Sequence, residues 1–309
     1  MILLLGASGQ TGRELARSLA TAGPVTPATR SGSTPSRSAC ARIDLADGDG
    51  LARQLDAIAP RIIVNAAAYT AVDRAEGEQQ LADAINHRAV AILAAWASRN
   101  DALLVHYSTD YVFAGDATTP YDERSAASPL SVYGGSKWAG EEAIRASGCE
   151  HLILRTAWVY AAHGHNFLRS ILRAAHAGTS LRVVADQVGA PTSARYLASA
   201  TASLLARIHL DHSGPPRETL HVACAGEVSW HGYATRLLDR AVTFGILTHA
   251  PVVEAIGSSD WPTPAPRPRY SVLNCDRLAA HLGAQAPHWH DELDATLLEL
   301  VAGHGIFKS

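Results

Sequence analysis

Met1-Ile2-Leu3-Leu4-Leu5-Gly6-Ala7-Ser8-Gly9-Gln10-Thr11-Gly12-Arg13-Glu14-Leu15 decides the fold: an apolar strand runs directly into three evenly spaced glycines and then into a helical pattern. Leu15 and Leu19 fall on one face of that helix. Gly6 permits a tight turn, Gly9 lets backbone approach a pyrophosphate, and Gly12 allows close helix–strand packing. The helix start at Gln10 and Thr11 offers free N–H groups and the positive end of a dipole to phosphate. Glycine-rich turns are common, so the weight comes from the position, between a first strand and a first helix.

The chain that follows keeps this alternation. Strand-like and helical segments succeed one another at 1–5, 13–22, 24–29, 50–58, 61–66, 80–99, 102–108, 131–147 and 151–157. Such alternation predicts a parallel sheet with helices on both faces. Ligands of these sheets bind beyond the carboxyl ends of the strands. Four segments fall at such ends: Gly6–Gly12, Asp44-Leu45, Asn65–Thr70 and Tyr107–Asp110. Ala66, Ala67 and Ala68 are small enough for a cofactor to lie against the backbone, with Tyr69 and Thr70 beside them. After residue 157 the pattern becomes mixed. The expected division is a dinucleotide-binding unit over 1–157 and a smaller, interleaved substrate-binding region over 158–309, with strands near 180–187 and 219–223 rejoining the sheet. A final helix is expected near His290–Ala302, and 31–38 reads as a surface loop.

Of 26 basic residues only Lys137 and Lys308 are lysines, and Lys137 sits in Tyr133-Gly134-Gly135-Ser136-Lys137. On a helix, positions i and i+4 share a face, so a phenol and an ammonium converge on one spot. A nearby cation favours phenolate, which predicts a lowered Tyr133 pKa and a tyrosine suited to acid–base work. Arginine would keep the charge without the compact ammonium that also hydrogen-bonds a ribose.

Composition excludes other classes. The net charge is −3, which argues against nucleic acid or an anionic membrane surface as the main ligand. No stretch approaches the roughly 20 apolar residues of a membrane span, and the opening apolar run turns into glycines instead of reading as a signal peptide. Cys40, Cys149, Cys224 and Cys275 are widely spaced, as expected for reduced thiols of a cytoplasmic protein. The 15 histidines form no H-E-x-x-H helix, and no metal is expected.

The glycine spacing G-x-x-G-x-x-G and the Tyr-x-x-x-Lys pair resemble short-chain dehydrogenase/reductases. Further segments narrow the resemblance: Asn65–Asp73, His106–Phe113, Tyr133–Lys137 with Gly140-Glu141, Arg155–Tyr160, Asp186–Thr192 and Arg267–Ser271. Together they resemble the dTDP-4-dehydrorhamnose reductase family nearly end to end. The resemblance implies a Rossmann-type doubly wound sheet and reduction of the C4 ketone of a dTDP-linked 6-deoxy sugar by NADPH. It makes Tyr133 the proton donor, Lys137 the residue that tunes it and holds the nicotinamide ribose, and Thr109 a hydrogen-bonding partner of the ketone oxygen. It places Tyr107 beside the cofactor and Asp110 and Trp158 beside the sugar or nucleotide; for Trp158 a core aromatic is the rival reading. Arg267 reads either as a diphosphate ligand or as a solvated arginine in a proline-rich loop. Asp110-Tyr111 replaces the Thr-Asp-Glu of nucleotide-sugar dehydratases, removing the extra acid that elimination needs. Arg195 stands where some members carry an acid tied to a metal-bridged dimer, which counts against that assembly; a homodimer of another kind stays open. Two alternatives remain: a 4-ketoreductase for a different dTDP-deoxyhexose, and a non-catalytic relative such as the regulatory subunit of methionine adenosyltransferase, which the full Thr109, Tyr133 and Lys137 set disfavours.

Cofactor preference is read from Val25–Ser31. An NAD enzyme presents an acid after its second strand; here there is none, and Arg30 and Ser31 stand where a 2′-phosphate would lie. NADPH is expected over NADH, by about tenfold, the worth of one exposed charge-assisted contact. Some relatives accept both.

Overall fold

The computed structural model describes residues 1–34, 40–211 and 216–303. Lys308 and part of the 31–38 loop lie outside the described residues. The first half runs β1 (Ile2–Leu5), α1 (Gln10–Ser18), β2 (Val25–Thr29), β3 (Ala41–Arg42), α2 (Gly48–Ile58) and β4 (Ile62–Asn65). After it come α3 (Val72–Ala75), α4 (Gln79–Asp83), a π turn at Ala84–Arg88, α5 (Ala89–Arg99), β5 (Leu103–Thr109), α6 (Val132–Ser147) and β6 (His151–Thr156). The second half holds β7 (Val159–Tyr160), α7 (Phe167–His176), β8 (Leu181–Val184), β9 (Val188–Gly189), β10 (Thr192–Ser193), α8 (Ala194–Asp211) and β11 (Arg217–His221). It ends with β12 (Val228–Ser229), α9 (Trp230–Thr243), β13 (Val253–Ile256), α10 (Asp276–Leu282) and α11 (Trp289–Ala302).

Seven strands form one sheet in the order β11-β6-β5-β4-β1-β2-β3, every neighbour parallel. Strand side chains alternate between faces, and β1 shows the result. Ile2 and Leu4 pack with Leu15 of α1, Leu19 just after it, and Leu197 and Leu204 of α8, whereas Leu3 and Leu5 pack with Leu51 and Leu55 of α2 and Val90 and Leu93 of α5. A run of four leucine-like residues is thus buried on both sides, as a central parallel strand requires. The order reverses beside β1, and the loops after β1 and β4 open there to make a crevice. A third apolar cluster, with Tyr160, Leu172, Leu237 and Leu297, gives the second half its own core.

The expected strand at 180–187 exists, but it does not join the main sheet. β8 pairs with β13 in a separate parallel ribbon. Its pattern, Leu181 and Val183 buried and Arg182 exposed, is that of a strand with one wet face, and such a strand does not announce its partner. β11 does rejoin the sheet, at its edge beside β6.

Candidate active site

The glycine turn is shaped by near contacts of backbone. Gly6 has φ +77°, and a Cβ there would lie 2.7 Å from the Ala67 nitrogen. A Cβ on Gly12 would overlap the Gly6 carbonyl, so Gly12 seats α1 on the turn and does not itself line the crevice. Over Gly9 the nearest neighbour of a Cβ is the Gly6 oxygen at 3.3 Å, leaving that backbone open at the α1 N-terminus. This is a fitting cradle for a pyrophosphate. The Gln10 side chain does other work: its amide donates to the Val159 carbonyl and accepts from Asn166, tying α1 to the second half.

From this turn a cleft of about 960 Å³ extends across the strand ends. Its lining includes Gly6, Gly9, Gln10, Thr11, Arg30, Asp44, Leu45, Ala66, Ala67, Ala68 and Thr70, and beyond them Tyr107, Thr109, Asp110, Tyr133, Lys137 and Trp158. Residues 150 positions apart therefore share one wall-to-wall space of a size suited to an organic ligand. Ser31, Tyr69 and Arg267 are not in that lining. Ser31 turns toward Ser33 at 2.9 Å, Tyr69 donates its hydroxyl to Glu78 at 2.8 Å, and Arg267 pairs with Asp73 at 2.8 Å. Lining residues that the motifs do not mark include Ile43, Leu197 and Trp230; each is apolar, and only the tertiary fold brings it to the cleft.

Tyr133 and Lys137 lie in the first turns of α6, whose N-cap Ser131 accepts from the Gly134 N–H at 3.1 Å. Lys137 is buried; its side-chain nitrogen donates to the Tyr107 carbonyl at 2.6 Å and lies 3.0 Å from His106 Nε2. Burial pulls Lys137 down to about 8, against an opposing pull from Glu141. Tyr133 behaves opposite to the expectation from its spacing to Lys137. Burial pushes the phenol up to about 12, while the Thr109 hydroxyl beside it pulls the other way and Asp110 adds to the rise. The spacing argument weighed the cation and not the desolvation, and desolvation is the larger effect here. The outcome is a neutral phenol, the form that donates a proton. Thr109 caps the turn after β5: it accepts from the Tyr111 N–H at 3.2 Å and donates to Asp110 at 3.0 Å. Burial pushes Asp110 up to about 6, with Ser271 and Thr109 holding it back.

Two buried devices fix α6 on the sheet. Glu141, one turn after Lys137, accepts from Ser108 of β5 at 2.5 Å, Arg155 of β6 at 2.7 Å and Arg145 at 2.6 Å. Burial pushes this carboxyl up, but the two arginines and Ser108 outweigh it and keep it ionised. Asn86, in the π turn, accepts from the Tyr69 N–H at 2.8 Å and donates to the Tyr69 carbonyl and to Ser136, both at 3.0 Å. It clamps the loop after β4 to the helix that carries Tyr133 and Lys137. Opposite them, Trp158 has φ +48° and stacks on Trp230 with ring centroids 3.5 Å apart. A Cβ on Gly189 would lie 2.5 Å from the Trp158 indole, so a glycine there makes room for the ring.

A doubly wound sheet, a glycine cradle at its switch point and a Tyr–Lys pair over the same crevice define a dinucleotide-binding short-chain reductase scaffold. Comparison with known proteins agrees. Residues 1–302 match the RmlD substrate binding domain family. The dTDP-4-dehydrorhamnose reductase of Burkholderia thailandensis is 40% identical over 97% of this chain and 99% of its own length. That of Salmonella typhimurium is 40% identical, over 97% of each chain. The crystal structure of the Bacillus anthracis dTDP-4-dehydrorhamnose reductase in complex with NADP superposes with a TM-score of 0.82 at 30% identity, covering 96% of this chain and 98% of that one. The chain belongs to the dTDP-4-dehydrorhamnose reductase family. Among the described residues, no group of three or more His, Cys, Asp or Glu is arranged to hold a metal ion, and no helix is long and apolar enough to cross a membrane.

Proposed function

We propose that this protein reduces the C4 ketone of dTDP-4-dehydro-6-deoxy-L-mannose with NADPH, giving dTDP-L-rhamnose. The observation that carries the reading is the meeting of Thr109, Tyr133 and Lys137 in one cleft with the Gly6–Gly9 turn, in a chain matching two reductases over nearly its whole length. We assign the dinucleotide to the sheet edge before Ala157 and the nucleotide sugar mainly to the region after it. NADPH supplies the hydride when bound. Gly6, Gly9 and the α1 N-terminus would hold its pyrophosphate, Arg30 its 2′-phosphate, and Lys137 its nicotinamide ribose.

The remaining work falls to side chains. Thr109 and Tyr133 face the space where the ketone oxygen belongs, and their hydroxyls stabilise the negative charge that develops there. Tyr133 then transfers its proton to that oxygen, completing the alcohol. Its raised pKa keeps the proton in place until the oxygen becomes a strong base. Tyr111 stands edge-on to Tyr133 with ring centroids 5.8 Å apart and walls that side of the phenol. The stacked Trp158 and Trp230 offer an apolar wall to a sugar or base. Four free thiols support a reducing compartment, and we place the reaction in the cytoplasm.

The test is to mix the protein, NADPH and dTDP-4-dehydrorhamnose, follow loss of nicotinamide absorbance, and identify the product by NMR. Formation of dTDP-L-rhamnose is expected. No oxidation of NADPH would sink the reading, and oxidation only with a different dTDP-4-keto sugar would reassign the substrate.

A further inference from the structure

Beneath Lys137 runs a chain of buried polar groups that the reaction above does not use. Lys137 Nζ lies 3.0 Å from His106 Nε2, His106 Nδ1 lies 3.1 Å from the Asn65 amide nitrogen, and the Asn65 oxygen accepts from the Ala67 N–H at 3.2 Å. His106 is fully buried, and Asn65 and Lys137 nearly so, so each of these groups depends on the others for its hydrogen bonds.

The direction of the bonds can be read from the fixed end. A backbone N–H only donates, so Ala67 must face the Asn65 oxygen. The Asn65 NH₂ then points at His106 Nδ1, which must accept. Burial holds His106 neutral, and a neutral imidazole carries a single N–H. That hydrogen is therefore on Nε2, aimed at Lys137. An ammonium has no lone pair and would meet it donor to donor. An amine accepts it and still donates to the Tyr107 carbonyl at 2.6 Å. Turning Asn65 over would set its NH₂ against the Ala67 N–H and only move the conflict. The arrangement with an Nε2–H histidine and an amine satisfies every group.

We propose that Asn65 and His106 are positioning residues for Lys137, presenting it with a hydrogen-bond donor and thereby loosening its hold on a proton, so that it can take up as well as release one. The inference rests on the reading of Lys137 as the partner of Tyr133. The other ionisable groups around Lys137 are Tyr133 and Glu141 of α6, Tyr107 of β5 and Asp110 after it. Glu141 is already satisfied by Arg145, Arg155 and Ser108, and the Tyr107 hydroxyl pairs with Thr201 at 2.6 Å. A lysine balanced between its two forms suits the site, because Tyr133 gives up its proton in each turnover and must regain one.

NMR decides the matter without turnover, so failure of the reductase assay and failure of this inference are separate results. Ring-¹⁵N histidine labelling gives the tautomer of His106, assigned by the signal lost in His106→Gln. Lysine labelled at Cε gives the titration of Lys137, and the chain has only one other lysine to resolve, Lys308. The expected result is an Nε2–H tautomer together with a lysine that loses its proton at least one pH unit below an ordinary lysine, a tenfold weaker hold. An Nδ1–H tautomer in the wild type, or a Lys137 with ordinary titration, overturns the proposal. Asn65→Asp then replaces the donor facing Nδ1 with an acceptor. It should switch His106 to Nδ1–H and let Lys137 keep its proton to higher pH, and an unswitched tautomer in the folded variant counts against the chain.

Discussion

On the α6 side the cleft is held by charge: Glu141 is locked between two arginines and a serine, and every polar atom of that carboxylate has a partner. On the opposite side the Trp158 ring leans on the Trp230 ring by stacking, from a left-handed backbone. Directional bonds hold the first wall to a single geometry, which proton transfer needs. Stacking tolerates sliding, which a wall that meets a ligand's ring can use. The contrast predicts that damage to the first wall lowers kcat or stability, and damage to the second raises KM.

The sharpest break is Tyr133→Phe, which should cut kcat by about 10³-fold by removing the proton donor, while NADPH affinity measured by fluorescence stays within twofold. A near wild-type kcat would remove Tyr133 from the chemistry. Glu141→Ala leaves Arg155 buried with no counter-charge and should cost about 3–5 kcal/mol of stability in denaturant titration. An unchanged midpoint would mean that the ionic lock does not hold the helix.

A pH comparison probes the same wall. The native Lys137 binds its proton more weakly than the unfolded lysine, so the unfolded chain holds more protons between about 8 and 10.5. Wild-type stability, measured against Lys137→Met, should therefore rise across that window, by about 1–3 kcal/mol. A flat difference contradicts the burial argument.

Much of this wall was legible in the sequence. Tyr133 and Lys137 share a helix face by spacing alone, and the Gly6–Gly12 turn follows from β1 and α1 being adjacent in the chain. What was hidden depended on distance or burial. Asn65 ends β4 and His106 lies in the middle of β5, and nothing in either segment shows that the two side chains meet. Asn86 acts through a π turn, and a 3.6-residue pattern over 80–99 does not signal one. The direction of the Tyr133 shift required knowing how little water reaches it. Arg267 shows the same limit: its guanidinium is taken by Asp73, 194 residues earlier. Trp230 opens α9 and reaches the cleft only because the second half folds back over the first.

Smaller effects should mark the softer wall. Trp230→Ala removes the stacking partner of Trp158, and KM for the nucleotide sugar should rise about fivefold, in line with roughly 1 kcal/mol for an aromatic pair, with kcat within twofold. A fall in kcat at unchanged KM would make this wall part of the chemistry and erase the contrast. Least of all, Arg30→Ala should reduce the ratio of kcat/KM for NADPH over NADH by at most about tenfold, since Arg30 is exposed. An unchanged ratio would show that Arg30 does not read the 2′-phosphate.

The π turn at Ala84–Arg88 has one more consequence. It holds one residue beyond what a regular turn would, and the extra residue is taken up locally, where Asn86 sits. Each residue advances a helix by about 100°. Deleting one residue there would close the widened turn into a regular one, swing Asn86 away from Tyr69 and Ser136, and turn its carbonyl off the spot where Gly140 lets α6 approach. The helix should therefore accept many substitutions on its wet face and no change of length. Its residue count works as a spacer, keeping the loop after β4 in step with the two residues of α6 four places apart.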